Sequence, residues 1–159
     1  MTTGDTETVS LRTPISMVMT RMAIPILGML GMGISGYLGF SYWLGEEPMC
    51  FGGSGCGHVF TSPYSHIWGI PLPLLGLAMY VVLTGLGLLV LKLRGNARPF
   101  VALSIYTVAL AGTLYSACLT YLQFAVIHAL CTWCLASALV VTSIFILSLR
   151  GLFDYTLTQ

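Results

Sequence analysis

Charge is what this chain has least of. Only 7% of its 159 residues are Asp, Glu, Lys or Arg, against about 25% in soluble domains. From Phe100 to Leu149 there is no formally charged residue. Such a chain lacks the polar surface that keeps a globular domain in water. Its net charge of +1 argues against nucleic acid as a partner. Histidine is scarce too, and only His128 lies near an apolar run, so paired axial haem ligands are not expected. No nicotinamide or flavin fingerprint occurs, because "GGSG" follows no strand. No A-x-A-like cleavage site follows the first apolar run, which therefore reads as a retained helix.

What is present is apolar length. Hydrophobic residues make up 57% of the chain, and a membrane-crossing helix needs about 20 of them in a row. Four spans are expected: residues 21–43, residues 71–91, a third starting at Phe100, and a fourth over residues 131–149. Pro71 suits the first turn of the second span, where a missing N–H costs little. The uncharged stretch from Phe100 would overrun one span more than twofold, so a turn is expected between Gln123 and Leu130. Gln123 and His128 are the polar punctuation there. The expected fold is an all-α integral membrane protein, a bundle of four transmembrane helices. Residues 1–16 read as a flexible cytoplasmic tail, 17–150 as the membrane domain with an outer loop over about 45–70, and 151–159 as a second cytoplasmic tail.

The few charges give an orientation. Arg12, Arg21, Lys92, Arg94, Arg98 and Arg150 all fall on one side of a four-helix arrangement. The other side carries Glu46 and Glu47 without a basic residue. The positive-inside rule then puts both termini in the cytoplasm. Trp43, Trp68 and Trp133 fall at the opposite ends, where aromatic side chains anchor helices. In the first span Gly31, Ser35 and Gly39 form a stripe of small residues, expected to admit a neighbouring helix of the same bundle.

Four of the five cysteines, Cys50, Cys56, Cys131 and Cys134, belong to the outer face in this arrangement. Disulfides persist there. "CTWC" places Cys131 and Cys134 three residues apart, on one face of a helix and at its start. Backbone N–H groups and the helix dipole favour a thiolate at that place. Cys50 and Cys56 are separated by the flexible "FGGSG". Closing so short a ring adds little stability, so exchange suits this pair better than stapling. A mobile pair and a helix-bound pair on one face look like a relay for two electrons. A lipid-soluble quinone, of ubiquinone or menaquinone (vitamin K) type, fits best as the acceptor. The alternative is a non-enzymatic membrane scaffold or metal-binding protein, with Cys50, Cys56, His58 and His66 as nominal ligands; no metal is expected.

These motifs carry a resemblance. "CFGGSGCGHVFTSPYSHIWGIPLPLLGLAMY" and "CTWC" together resemble the vitamin K epoxide reductase family in its bacterial or archaeal form, over about residues 20–150. The resemblance implies a four-helix bundle around a quinone, with a short capping helix from about Gly57 to Trp68. It implies that Cys50 receives electrons from a thioredoxin-like partner and that Cys56 passes them to the Cys131 disulfide. Cys134 would then face the quinone. Ser62 matches the family's loop serine near the active site, and Phe60 and Trp68 match aromatics over the quinone ring. The chain stops at Gln159 without a fused thioredoxin-like domain, so a separate partner protein is expected. Ala138 stands where vertebrate members have Tyr, and Ser65 where they have Asn, which weakens any inference of epoxide chemistry. No Lys-rich retrieval tail follows Arg150, so a prokaryotic cytoplasmic membrane is expected. The DsbB type, another four-helix thiol-to-quinone system, usually has its C-x-x-C in the first loop; here the order is reversed.

Among the remaining residues, Cys118 is expected to be a buried, inert small hydrophobe. His58 and His66 read as solvated loop residues. His128, three residues before Cys131, is a candidate proton donor or thiolate neighbour.

Overall fold

The computed structural model describes the backbone of residues 5–46, 48–49, 66–67, 69–93 and 98–157. Four helices dominate it: α1 (Asp5–Leu44), α2 (Leu72–Lys92), α3 (Arg98–Leu122) and α4 (Thr132–Leu157). Four stretches are long and apolar enough to cross a membrane: Met22–Leu44, Leu72–Lys92, Arg98–Val126 (α3 with the turn that follows it) and Thr132–Phe153. The four expected spans are therefore present, within a few residues of their expected bounds, in an integral membrane bundle. Helix α1 packs on α2 and α4, and α3 packs on α4 and α2, so the helices follow one another around the bundle. The core is Ile24, Tyr80, Leu83, Val90, Ile105, Ala109, Val140, Val141 and Ile144.

Small residues let α1 and α2 approach. A Cβ on Gly31 would fall on the Tyr80 ring, and one on Gly28 would fall on Thr84. Ser35 faces Gly76, and Gly39 faces Leu74 and Pro73. The stripe Gly31, Ser35, Gly39 thus packs within the bundle, where close backbone approach strengthens dispersion contacts that lipid cannot supply. Helix α2 starts behind Pro71, at φ −65° and ψ 137°, with Pro73 in its first turn. Neither proline costs an intrahelical hydrogen bond there.

Four expectations differ from the structure. Helix α1 begins at Asp5, so helical backbone reaches into the segment expected as a tail. This helix runs through Pro14 and Pro25; adding residues to a formed helix needs no new nucleus. Helix α4 likewise runs on to Leu157, past Gly151. Before α2, His66–Ile67 (β1) pairs antiparallel with Ile70–Pro71 (β2), with Gly69 at φ 82° in the turn. The expected capping helix lies mostly outside the described residues, and at His66–Ile67 the backbone is extended rather than helical. Cys118 is exposed on α3 rather than buried, and so faces the lipid side of the bundle.

The turn between α3 and α4 falls where the polar punctuation placed it. Residues Gln123–Ile127 form a π-helical turn. It ends at His128, which adopts φ 51° and ψ 30° and gives its backbone N–H to the Gln123 carbonyl. Ala129 N–H reaches the same carbonyl at 3.2 Å. A non-glycine residue in the left-handed region is uncommon and costs local energy. Ala129 and Leu130 then lead to Cys131 and α4.

Candidate active site: the Cys131–Cys134 pair and its cavity

Cys131 is the residue before α4, and its sulfur caps the helix. The Cys134 N–H points at Cys131 Sγ over 3.3 Å, and Leu135 N–H bonds the Cys131 carbonyl over 3.1 Å. An N-cap side chain normally receives the third helical N–H through oxygen; here sulfur takes that place. The Cys131 thiol is held below its ordinary range, first by the hydrogen bond from the Cys134 side chain. Backbone N–H groups of Cys134 and Trp133 act in the same direction, while burial opposes them. Cys131 is completely buried.

Gln123 joins the two cysteines. It is 3% exposed, and its Oε1 accepts the Cys131 N–H at 3.3 Å. Its side chain also interacts with the Cys134 side chain. The carboxamide orientation follows from the partners: the oxygen must face an N–H, which leaves the NH₂ for sulfur. Sequence reasoning read Gln123 only as turn punctuation. The available signal was that it is the one carboxamide in the uncharged stretch, eight residues before Cys131.

Cys134 is half-buried and borders a cavity of about 460 Å³. All four helices line it, with Ser35 and Leu38 from α1, Pro73 and Met79 from α2, Tyr115 and Leu119 from α3, and Cys134 and Ser137 from α4. Its size suits a small organic molecule, and its wall is mostly apolar with a few hydroxyls and the Gln123 amide. One helical turn beyond Cys134, Tyr80 donates to the Ser137 carbonyl at 2.8 Å and lies 2.9 Å from the Ser137 hydroxyl. None of these cavity residues except Cys134 was singled out from the sequence as a ligand contact.

Trp133, expected as a membrane anchor, contacts two other parts of the chain. Its indole N–H donates to the Met49 carbonyl at 2.8 Å, and its ring lies 5.2 Å from that of Tyr37. The chain directly before Cys50 is therefore held against the helix that carries Cys131 and Cys134. His128 contributes its backbone to the turn, and its side chain is exposed. Cys50, Cys56, His58, Phe60, Ser62 and Trp68 lie outside the described residues, as does the side chain of His66. The nominal metal set of Cys50, Cys56, His58 and His66 falls there too.

A bundle of four apolar helices with C-x-x-C at the start of the last narrows the family, and residues 22–149 match the profile of the vitamin K epoxide reductase family. The chain belongs to that family. A curated relative, "Thiol-disulfide oxidoreductase LTO1" of Arabidopsis thaliana, is 31% identical over 121 residues. That match covers 72% of this chain and 32% of the relative, so the chain spans about a third of the relative's length. The matched region of the vitamin K epoxide reductase profile contains both cysteine pairs, Gln123 and every residue that lines the cavity.

Proposed function

We propose that this protein is a membrane thiol oxidoreductase that oxidises a thioredoxin-like partner and reduces a quinone. The observation that carries the proposal is Cys134 bordering a largely apolar cavity of about 460 Å³, with Cys131 beside it as a stabilised sulfur. Family membership and the name of the Arabidopsis relative support the thiol chemistry.

The electrons balance in two-electron steps. The partner's dithiol becomes a disulfide and reduces a Cys50–Cys56 disulfide to two thiols. The Cys56 thiolate attacks the Cys131 sulfur of a Cys131–Cys134 disulfide, forming a Cys56–Cys131 bond and releasing Cys134 as thiolate. Cys50 then attacks Cys56, restoring the Cys50–Cys56 disulfide and freeing Cys131. The Cys131–Cys134 dithiol closes again to a disulfide, and its two electrons and two protons convert the quinone to the quinol. Hydrogen bonds to Cys131 make it the better leaving sulfur when Cys50 attacks, because a stabilised thiolate leaves faster. In this reading Ser62, Phe60 and Trp68 belong to the quinone's surroundings. The basic residues face the cytoplasm, the cysteines face outward across a prokaryotic cytoplasmic membrane, and the cellular role is disulfide formation in exported proteins.

The test is turnover with purified protein, a reduced thioredoxin-like partner and a soluble quinone, followed by quinone absorbance. The Cys134→Ala variant should lose quinone reduction, and Cys131→Ser should form no adduct with Cys56. A Cys134→Ala protein as active as the parent would end the relay reading. A permanently closed Cys50–Cys56 disulfide with no quinone dependence would favour a scaffold instead.

A further inference from the structure

We propose that Gln123 is a positioning residue for the thiol pair: one carboxamide holds the Cys131 amide and the Cys134 sulfur together, and so sets that sulfur at the cavity wall. The geometry has three independent parts. The side chain is 3% exposed, with its oxygen on the Cys131 N–H at 3.3 Å. Its side chain borders the same cavity as Cys134 and interacts with the Cys134 side chain. Its backbone carbonyl is the meeting point of the His128 and Ala129 N–H groups, which pins the residue from the main-chain side.

The turn explains why a residue so far back in sequence reaches both cysteines. An ordinary α-helical end would release the chain after its last i→i+4 bond. The π-helical turn at Gln123–Ile127 and the left-handed His128 fold the backbone back on Gln123. Single π turns are frequent at functional sites. Gln123 also borders the cavity, as Cys134 does. The only other titratable side chain among the described cavity residues is Tyr115. No charged group among those described residues competes for the Cys134 sulfur, and the neutral amide of Gln123 borders the same cavity. When Cys131 is engaged with another sulfur, Cys134 must carry the negative charge, and an N–H donor favours that form.

This assignment deepens the relay reading and rests on it for turnover, but alkylation tests it without any acceptor. The protein to use is the reduced full chain with Cys131→Ser, which leaves Cys134 as the single thiol at α4 and retains the main-chain N–H to Gln123. Labelling of Cys134 by N-ethylmaleimide is followed by mass spectrometry at fixed pH. Gln123→Leu should slow it about tenfold, the size of one lost hydrogen bond to a charged sulfur. Gln123→Glu has the same shape and keeps the acceptor, so it retains the turn if the leucine variant fails to fold. At low pH its neutral carboxyl still donates, and labelling should match the parent; as pH rises the carboxylate repels the sulfur and labelling should fall behind. A residue that only filled space would give the Glu and Gln proteins a constant ratio at every pH, and equal labelling of Gln, Glu and Leu proteins would overturn the assignment. If labelling behaves as expected while Cys134→Ala still reduces quinone, the relay reading fails and the placement of Gln123 stands.

Discussion

At the residue scale the chemistry turns on two sulfurs three positions apart. Cys131 receives hydrogen bonds from the Cys134 side chain and from two backbone N–H groups, which together outweigh the cost of burying it. Its thiolate should therefore persist to lower pH than that of an ordinary thiol, whose pKa is about 8.5. The sign is that of a lowered pKa: the thiolate is complete above the ordinary value and disappears only as pH falls through the lowered one. Alkylation of Cys131 by iodoacetamide, resolved by mass spectrometry, should show its midpoint below that of the denatured chain. Cys134→Ala removes the largest stabilising contact and should move that midpoint up, while Cys134→Ser keeps a hydroxyl donor and should move it less. A midpoint equal to that of the denatured chain would show that the cap does not act on the sulfur.

At the element scale, packing between α1 and α2 decides how tightly the bundle closes. Gly31 faces the Tyr80 ring without room for a methyl group, whereas Gly33 on the same helix has no atom within 4 Å of where its Cβ would stand. Gly31→Ala should cost about 1–3 kcal/mol through overpacking. Gly33→Ala should stay within about 0.5 kcal/mol of the parent. Thermal unfolding in detergent distinguishes the two, and equal melting would remove Gly31 from the interface. Tyr80 then links this interface to the cavity, because its hydroxyl holds Ser137 one turn beyond Cys134. Other element-level features follow from local sequence: four long apolar runs, a proline-led start to α2, and a turn at the polar residues Gln123 and His128.

At the scale of the whole molecule, the cavity exists only because four helices surround it. Ala111 lines it from α3 and is not one of the core residues. Ala111→Phe should raise the KM for a soluble quinone about tenfold, because the added ring takes volume the acceptor needs. The pH midpoint of Cys131 should not move, since the sulfur's partners are untouched. An unchanged KM would mean that the acceptor binds elsewhere.

The sequence by itself determined the number and approximate ends of the spans, because crossing lipid demands length and apolarity that any window reveals. It also determined that two cysteines share the start of the last helix, since a spacing of three is a local fact. It did not determine which faces turn inward. In lipid the outward face of a helix is as apolar as the inward one, so hydrophobic periodicity carries no burial signal. That is why Cys118, expected inside, lies on the outer surface, and why the cavity residues Ser35, Met79, Tyr115 and Ser137 were not foreseen. Tertiary structure alone brought Trp133 to Met49, 84 residues away, and closed a π turn that puts Gln123 on the Cys131 backbone N–H and beside the Cys134 side chain. Those contacts depend on how the helix ends meet in space, and no local pattern encodes that meeting.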